Sequence, residues 1–396
     1  MIISSVMQKI IISFVISAIA SVLLTPLAIK LSEYFKVLDR PSPRKIHSEP
    51  RGRLGGVAIY FAFLIGILAP SQLGLPIETS ISFDTSVAGF LLSSLIIVIL
   101  GVFDDKYDLT PRFKFFVQIF AATILVTFGL KIEMISGINP GTRFDLGVFK
   151  IPATIFWVVA ITNMINFIDG LDGLAAGITV IASLTLIIIN YLDKLSINSC
   201  VMLASTAGAC VGFLKYNFHP AKVFMGDGGA TFLGFTLGVT SVMGAFKSAT
   251  FAIVLVPFLA LLIPIFDMIY AILRRITREI PPHIADKEHL HHQFLELGLS
   301  HKQAVIVLYI IALSLSFFSI GMSKINNIKA MFLLLLICLL FIIGMIRMRH
   351  IINAKRSAAA QKNGEAGAPK IEDNSLTPKI VEKSGPNDET PPAGDK

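Results

Sequence analysis

Charge is the scarcest property of this 396-residue chain. Only 15% of its residues are Asp, Glu, Lys or Arg, against about 25% in a soluble globular domain. Hydrophobic residues make up 54% and the mean hydropathy is +0.75, which excludes a soluble fold. The deficit is concentrated in apolar runs of roughly 17–24 residues, long enough to cross a hydrocarbon core of about 30 Å. Cysteine is scarce too. Its three copies, Cys200, Cys210 and Cys338, fall inside apolar runs, so no disulfide framework or zinc ribbon can be read from them. The net charge of +8 lies mostly in loops, where it reports membrane orientation before any nucleic-acid partner, and none is expected.

What the chain does have is a series of about eleven candidate spans. They lie near residues 9–31, 54–71, 86–103, 113–130, 151–168, 173–192, 197–216, 229–246, 250–273, 303–322 and 328–347. These predict an all-α polytopic membrane protein, with a transmembrane domain over 1–350 and a disordered cytoplasmic tail over 351–396. The tail is too poor in apolar residues to offset its chain entropy. Ser17–Ala20 (SAIA) could pass for a signal-peptidase site, but the apolar run continues to Leu31, so a retained first helix is expected. Basic residues cluster after the first span (Lys36, Arg40, Arg44, Lys45, Arg51, Arg53) and after the ninth (Arg274, Arg275, Arg278, Lys287, Lys302). The positive-inside rule puts those loops and the C-terminus in the cytoplasm and the N-terminus outside.

The polar residues that remain are grouped. Residues 163–173 read NMINFIDGLDG, with Asn163, Asn166, Asp169 and Asp172 at three-residue steps, roughly on one helix face. A carboxylate at mid-membrane costs about 2.5–3.5 kcal/mol, so Gly170 and Gly173 suggest that the chain turns here, at the surface. Residues 101–116, GVFDDKYDLTPRFKFF, bring Asp104 and Asp105 close to Arg112 and Lys114. That set suits a divalent cation and phosphate oxygens, although a polar helix end is the plainer alternative. In NFHPAKVFMGDGG, residues 217–229, Asp227 sits among Gly226, Gly228 and Gly229 before an apolar span. Such a helix N-terminus favours phosphate, a carboxylate there needs a bridging metal, and Phe224 could stack on a base. A plain Asp N-cap is the alternative.

Histidines complete the set. His289, His291 and His292 form HLHH in a basic loop; without HExxH spacing or a nearby fourth ligand they suit phosphate donation or proton carriage better than structural zinc. His219 and His283, beside prolines, read as structural. Asp267 is either functional or paired with Arg274 or Arg275. All these groups fall on the cytoplasmic side, whereas Glu78, Asp84, Glu133, Asp145 and Asp193 are scattered over the other. Together they describe a Mg²⁺–pyrophosphate site at the inner membrane surface, with a lipid co-substrate that enters from the bilayer.

These residues resemble a known family, the polyprenyl-phosphate N-acetylhexosamine-1-phosphate transferases. The resemblance spans roughly residues 9–350 and rests on DDKYD at 104–108, NxxNxxDGxDGL at 163–174, FMGDGG at 224–229 and HLHH at 289–292. It looks closest to the bacterial undecaprenyl-phosphate GlcNAc-1-phosphate branch. It implies a Mg²⁺-dependent phosphoglycosyl transferase, with Mn²⁺ as a substitute, in the bacterial cytoplasmic (inner) membrane with its site on the cytoplasmic face. The substrates implied are a UDP-N-acetylhexosamine and undecaprenyl phosphate, the leaving group UMP, and the product the start of a lipopolysaccharide or teichoic acid. The resemblance further implies that Asp227 ligates Mg²⁺, that Asp104 and Asp105 lie at the reaction centre, and that Lys114 neutralises phosphate charge. It gives Asn166, Asp169 and Asp172, with the neighbouring Asn163, to the nucleotide-sugar, Phe224 to the uracil, and His289, His291 and His292 to the sugar-phosphate. Sugar-transferring relatives often carry arginines where this chain has Lys287 or Glu288 and Gln293. The alternatives are a phospho-MurNAc-pentapeptide transferase-like enzyme, a UDP-releasing glycosyltransferase and a secondary transporter; a homodimer is left open.

Overall fold

The computed structural model describes residues 2–39, 49–72, 84–136, 143–192, 196–245 and 298–322, with scattered positions from 329 to 354. Nine α-helices lie in the continuous segments: α1 (Ile2–Tyr34), α2 (Gly55–Gln72), α3 (Thr85–Tyr107), α4 (Pro111–Thr127), α5 (Lys150–Ile168), α6 (Leu174–Leu192), α7 (Ile197–Asn217), α8 (Gly226–Ala245) and α9 (His301–Met322). Each overlays one expected span. The span expected at 250–273 and most of the tail lie outside the described residues. By length and composition α1, α3, α5, α6, α7 and α9 are long and apolar enough to cross a membrane. Two short antiparallel hairpins depart from the all-α expectation: β1 (Leu38–Asp39) with β2 (Arg51–Gly52), and β3 (Met134–Ser136) with β4 (Arg143–Asp145).

The rows of α1 explain how the helices associate without water to drive them. Met7, Ile11, Val15, Ile19, Leu23 and Leu27 recur every four residues and stay exposed, whereas Lys9, Ser13, Ser17, Ser21 and Thr25 form a second four-residue row that is fully buried. The apolar row suits lipid. The mostly small, polar row packs on α2 and α7, where small side chains let backbones approach and hydroxyls reach across. Ser17 Oγ donates to Ser205 O of α7 at 2.6 Å, with Ala62 O of α2 also in reach at 3.0 Å. The helix runs unbroken through Ser17–Ala20.

At the centre stands α8, in contact with α2, α3, α5, α6 and α7 and buried at every position from Gly228 to Gly244. Phe232 meets Tyr60 and Phe63 edge-on, with centroids 5.1 and 5.3 Å away, and Phe235 stacks on Phe90 at 6.1 Å. Such pairs contribute about 0.5–1.5 kcal/mol each beyond area burial. At the N-terminal end of α8 the packing is tighter still. A Cβ on Gly56 would collide with the Gly229 backbone, and one on Gly101 with that of Gly228. The two glycines after Asp227 therefore let α2 and α3 close on the helix end that carries it.

Candidate active site

The turn between α3 and α4 is set by its own sequence. Asp108 adopts the left-handed conformation (φ 49°) and its N–H bonds Asp104 O at 2.9 Å, closing α3, while Pro111 opens α4, where its missing N–H costs nothing. Asp104 Oδ1 accepts the Leu109 N–H at 2.9 Å. Its other oxygen accepts from Lys114 Nζ at 2.8 Å, and the same ammonium reaches Asp227 Oδ2 at 3.1 Å. One lysine from the first turns of α4 thus bridges two acidic motifs that are distant in sequence.

Asp105 points elsewhere. Its Oδ1 accepts the Asp227 N–H at 3.0 Å and its Oδ2 the Gly228 N–H at 3.2 Å, so a carboxylate on α3 caps the N-terminus of α8, where unpaired N–H groups and the helix dipole favour negative charge. The side chain is 1% exposed, with Arg53 Nε at 3.7 Å; the same Nε lies 3.7 Å from Asp39. Arg53 follows β2, whose continuation is laced to the Phe224–Asp227 segment by backbone bonds: Phe224 N–H to Gly52 O at 2.8 Å, Gly55 N–H to Phe224 O at 3.1 Å and Gly56 N–H to Met225 O at 2.8 Å. Gly226 turns the chain into α8 at φ +70° with Arg53 O and the Asp105 carboxylate where a Cβ would stand. Only glycine fits.

Of the third motif, Asn163 lies inside α5 and donates through Nδ2 to Gln118 Oε1 of α4 at 2.6 Å and to Val159 O at 2.8 Å. Both amide hydrogens are therefore spent within the bundle. Asn166 is half-buried in the last turn of α5. Asp169 caps that helix, and its pKa is pushed up to about 8, by burial first and then by the charges of Asp227 and Asp105, with Arg53 opposing. Asp104, Asp105, Asp169 and Asp227 face two cations, Lys114 and Arg53. With these and Asp39, which shares Arg53, all ionised, five negative charges meet two positive ones among the described residues. A hard divalent ion taking carboxylate oxygens fits that deficit.

Asp172 lies past the helix end. Its Oδ2 accepts from Ala221 N–H at 3.1 Å and lies 2.8 Å from His219 Nδ1. Asp172, His219 and His301 bring donor atoms within 4.8 Å of one another, which invites a metal reading. The two rings, however, are stacked with centroids 4.3 Å apart and 14° between planes, so their in-plane lone pairs run parallel and do not converge on one ion. Hydrogen bonds account for Asp172, His219 Nδ1 and His301 Nε2, while His301 Nδ1 is buried with no hydrogen-bond partner among the described residues. Phe224 is half-buried beside Asp227. His289, His291, His292, Lys287, Glu288, Gln293 and Asp267 lie outside the described residues. Arg53, Gln118 and His301 were not singled out by sequence, and His219, read as structural, turns out to hold a motif carboxylate.

Comparison with known proteins places the chain among relatives. Residues 87–245 match glycosyl transferase family 4. A protein of Bacillus subtilis strain 168, named a probable undecaprenyl-phosphate N-acetylglucosaminyl 1-phosphate transferase, is 39% identical over 318 residues, 79% of this chain and 85% of the relative. A decaprenyl-phosphate N-acetylglucosaminephosphotransferase of Mycolicibacterium smegmatis is 35% identical over 70% of this chain and 73% of its own. The undecaprenyl-phosphate alpha-N-acetylglucosaminyl 1-phosphate transferase of Escherichia coli K12 is 26% identical over 74% and 78%. The chain therefore belongs to glycosyl transferase family 4, in the branch of polyprenyl-phosphate N-acetylglucosamine-1-phosphate transferases.

Proposed function

We propose that this protein transfers GlcNAc-1-phosphate from UDP-GlcNAc to undecaprenyl phosphate and releases UMP, the first membrane step of a cell-surface glycan. A lipid phosphate oxygen forms a bond to the sugar-linked phosphorus. The bond from that phosphorus to the bridging oxygen breaks, and UMP leaves with the electron pair. The observation that carries this reading is the Lys114 bridge between Asp104 and Asp227, with the Asp169 carboxyl close enough to Asp227 for the two charges to oppose each other. Phosphoryl transfer depends on positioning and charge neutralisation more than on covalent chemistry, and this is a site built for both.

Asp227 and Asp169 are the residues that would hold Mg²⁺, or Mn²⁺ in its place. When bound, the ion supplies positive charge to the pyrophosphate oxygens and to the departing phosphate. Lys114 neutralises the phosphoryl group at the head of α4, and Asp104 holds that ammonium in place. Asn166 and Phe224 lie on the two segments that flank Asp169 and Asp227, suited to the nucleotide. His289, His291 and His292 are assigned to the sugar-phosphate. The lipid phosphate has a second pKa near 6 and is already mostly dianionic at neutral pH, so direct displacement needs no strong general base. Eleven spans, an external N-terminus and a cytoplasmic site in the bacterial inner membrane complete the reading, supported by the basic loops. Transport is disfavoured because the carboxylates gather at helix ends, whereas carriers bind on broken helices near the midplane.

The test uses detergent-purified protein, undecaprenyl phosphate, MgCl₂ and UDP-GlcNAc, with nucleotide products separated by chromatography. UMP that requires both lipid and metal supports the reading. UDP would move the broken bond to the sugar side and sink it.

A further inference from the structure

The turn that carries Asp169 has little to hold it in place by itself. Between α5 and α6 the described backbone contacts are Asp169 N–H to Asn166 O (3.3 Å), Gly170 N–H to Ile168 O (2.7 Å), Leu174 N–H to Leu171 O (3.0 Å) and, at its end, Gly177 N–H of α6 to Gly173 O (2.9 Å). Its far end is gripped from outside. Asp172 N–H donates to His301 Nε2 at 3.0 Å, Gly173 N–H to Asn217 Oδ1 at 3.0 Å, and Tyr309 OH donates to Gly173 O at 2.6 Å. With His219 and Ala221 on the Asp172 carboxylate, two consecutive residues are held by groups from α7, the loop after it and α9.

We infer that His301, supported by His219, is a positioning residue for the donor nucleotide, acting through Asp172 on the placement of Asp169; this rests on the function proposed above. Three observations carry it. His301 is the first residue of α9, and that end is fixed by a reciprocal capping box, Ser300 N–H to Gln303 Oε1 at 2.8 Å and Gln303 N–H to Ser300 Oγ at 3.3 Å. Tyr309, eight residues on and so on the same face, contacts Gly177 where any side chain would collide, so α9 meets the turn and the start of α6 at two points. Third, Nε2 can accept the Asp172 N–H only as an unprotonated nitrogen, which puts the ring proton on Nδ1. The His219 ring stacked at 4.3 Å holds the plane of the His301 ring. Neither histidine hydrogen-bonds a member of the Lys114 bridge; His301 acts through the backbone of the turn and His219 through the Asp172 carboxylate.

The roles are separable by substitution. His301→Gln keeps an acceptor for the Asp172 N–H. His301→Phe keeps the ring stack and loses the acceptor. Tyr309→Phe, the milder second variant, removes one hydroxyl. Two readouts are needed: amide hydrogen exchange over 168–174 in substrate-free protein, and KM for UDP-GlcNAc and for undecaprenyl phosphate. The expected result is faster exchange at Asp172 and Gly173 in His301→Phe and Tyr309→Phe. Alongside it, KM for UDP-GlcNAc should rise about tenfold in His301→Phe, the scale of one buried hydrogen bond, with the lipid KM unchanged and His301→Gln close to wild type. Unchanged exchange, or faster exchange with an unchanged donor KM, overturns the inference, as does a His301→Gln variant no better than His301→Phe. Because exchange is read without substrate, a wild-type protein that releases no UMP would refute the function while the clamp is still decided.

Discussion

Lys114 Nζ lies 2.8 Å from Asp104 Oδ2 and 3.1 Å from Asp227 Oδ2, so a single ammonium joins the end of α3 to the start of α8. Replacing it with Met leaves two neighbouring carboxylates unbridged. Turnover is expected to fall by about 10²–10³, the scale of losing one preorganised electrostatic group. Melting of the metal-free protein should also drop, and millimolar MgCl₂ should restore much of that loss without restoring turnover. A Lys114→Met enzyme with wild-type turnover would remove Lys114 from the chemistry.

Asp104 and Asp105 are neighbours with different work. Asp105→Asn sets an amide N–H against the α8 N–H groups, so it should destabilise the protein by about 1–3 kcal/mol and lower activity through a displaced Asp227. Asp104→Asn keeps an acceptor for the Leu109 N–H and loses the charge on Lys114, so it should lower turnover with a smaller change in melting temperature. Melting curves and initial rates on the two variants separate these effects, and replacing both residues should abolish turnover.

Asp169 gives the metal-free protein a pH dependence of fixed sign. Its folded pKa of about 8 exceeds the unfolded value of about 3.9, so the folded state binds the proton more tightly. The stabilising effect is complete below the unfolded pKa and is lost as pH rises toward and through 8. Asp169→Asn should therefore raise the melting temperature relative to wild type, by a margin that grows from pH 5 to pH 8 and levels off above. MgCl₂ should shrink that margin. A constant margin across this range would show that Asp169 does not titrate there.

Asn163 and Gln118 form a bond between helices inside the bundle. Gln118→Leu should cost about 0.6–1.7 kcal/mol with donor KM unchanged, whereas Asn166→Ala should raise donor KM with little loss of stability. The two can be compared in one set of steady-state assays.

The bundle was legible because apolar runs of spanning length admit few other structures, and Asp104, Lys114 and Asp227 were legible because their motifs sit at run ends. The common face read for Asn163 to Asp172 was less so. Each three-residue step falls about 60° short of a full turn, so Asn163 faces α4, while α5 has ended before Asp169 and Asp172. Adjacent letters also conceal direction: nothing in DD says that Asp104 meets a lysine while Asp105 caps another helix. Arg53 looked like an orientation charge because its role needs the pairing of the segment after β2 with Phe224. His301 belongs to none of the acidic or glycine-rich motifs, and only the docking of α9 on α6 brings it to the turn.

The enclosure of α8 makes it a rod of about 30 Å with one end at the candidate site and the rest gripped by five neighbours. Such a rod cannot rotate or slide alone. A side chain added at Gly234, where a Cβ would press on the Thr162 backbone, should push on the same helix that carries Asp227 two turns away. A distortion anywhere along α8 is therefore passed on to the end that carries Asp227.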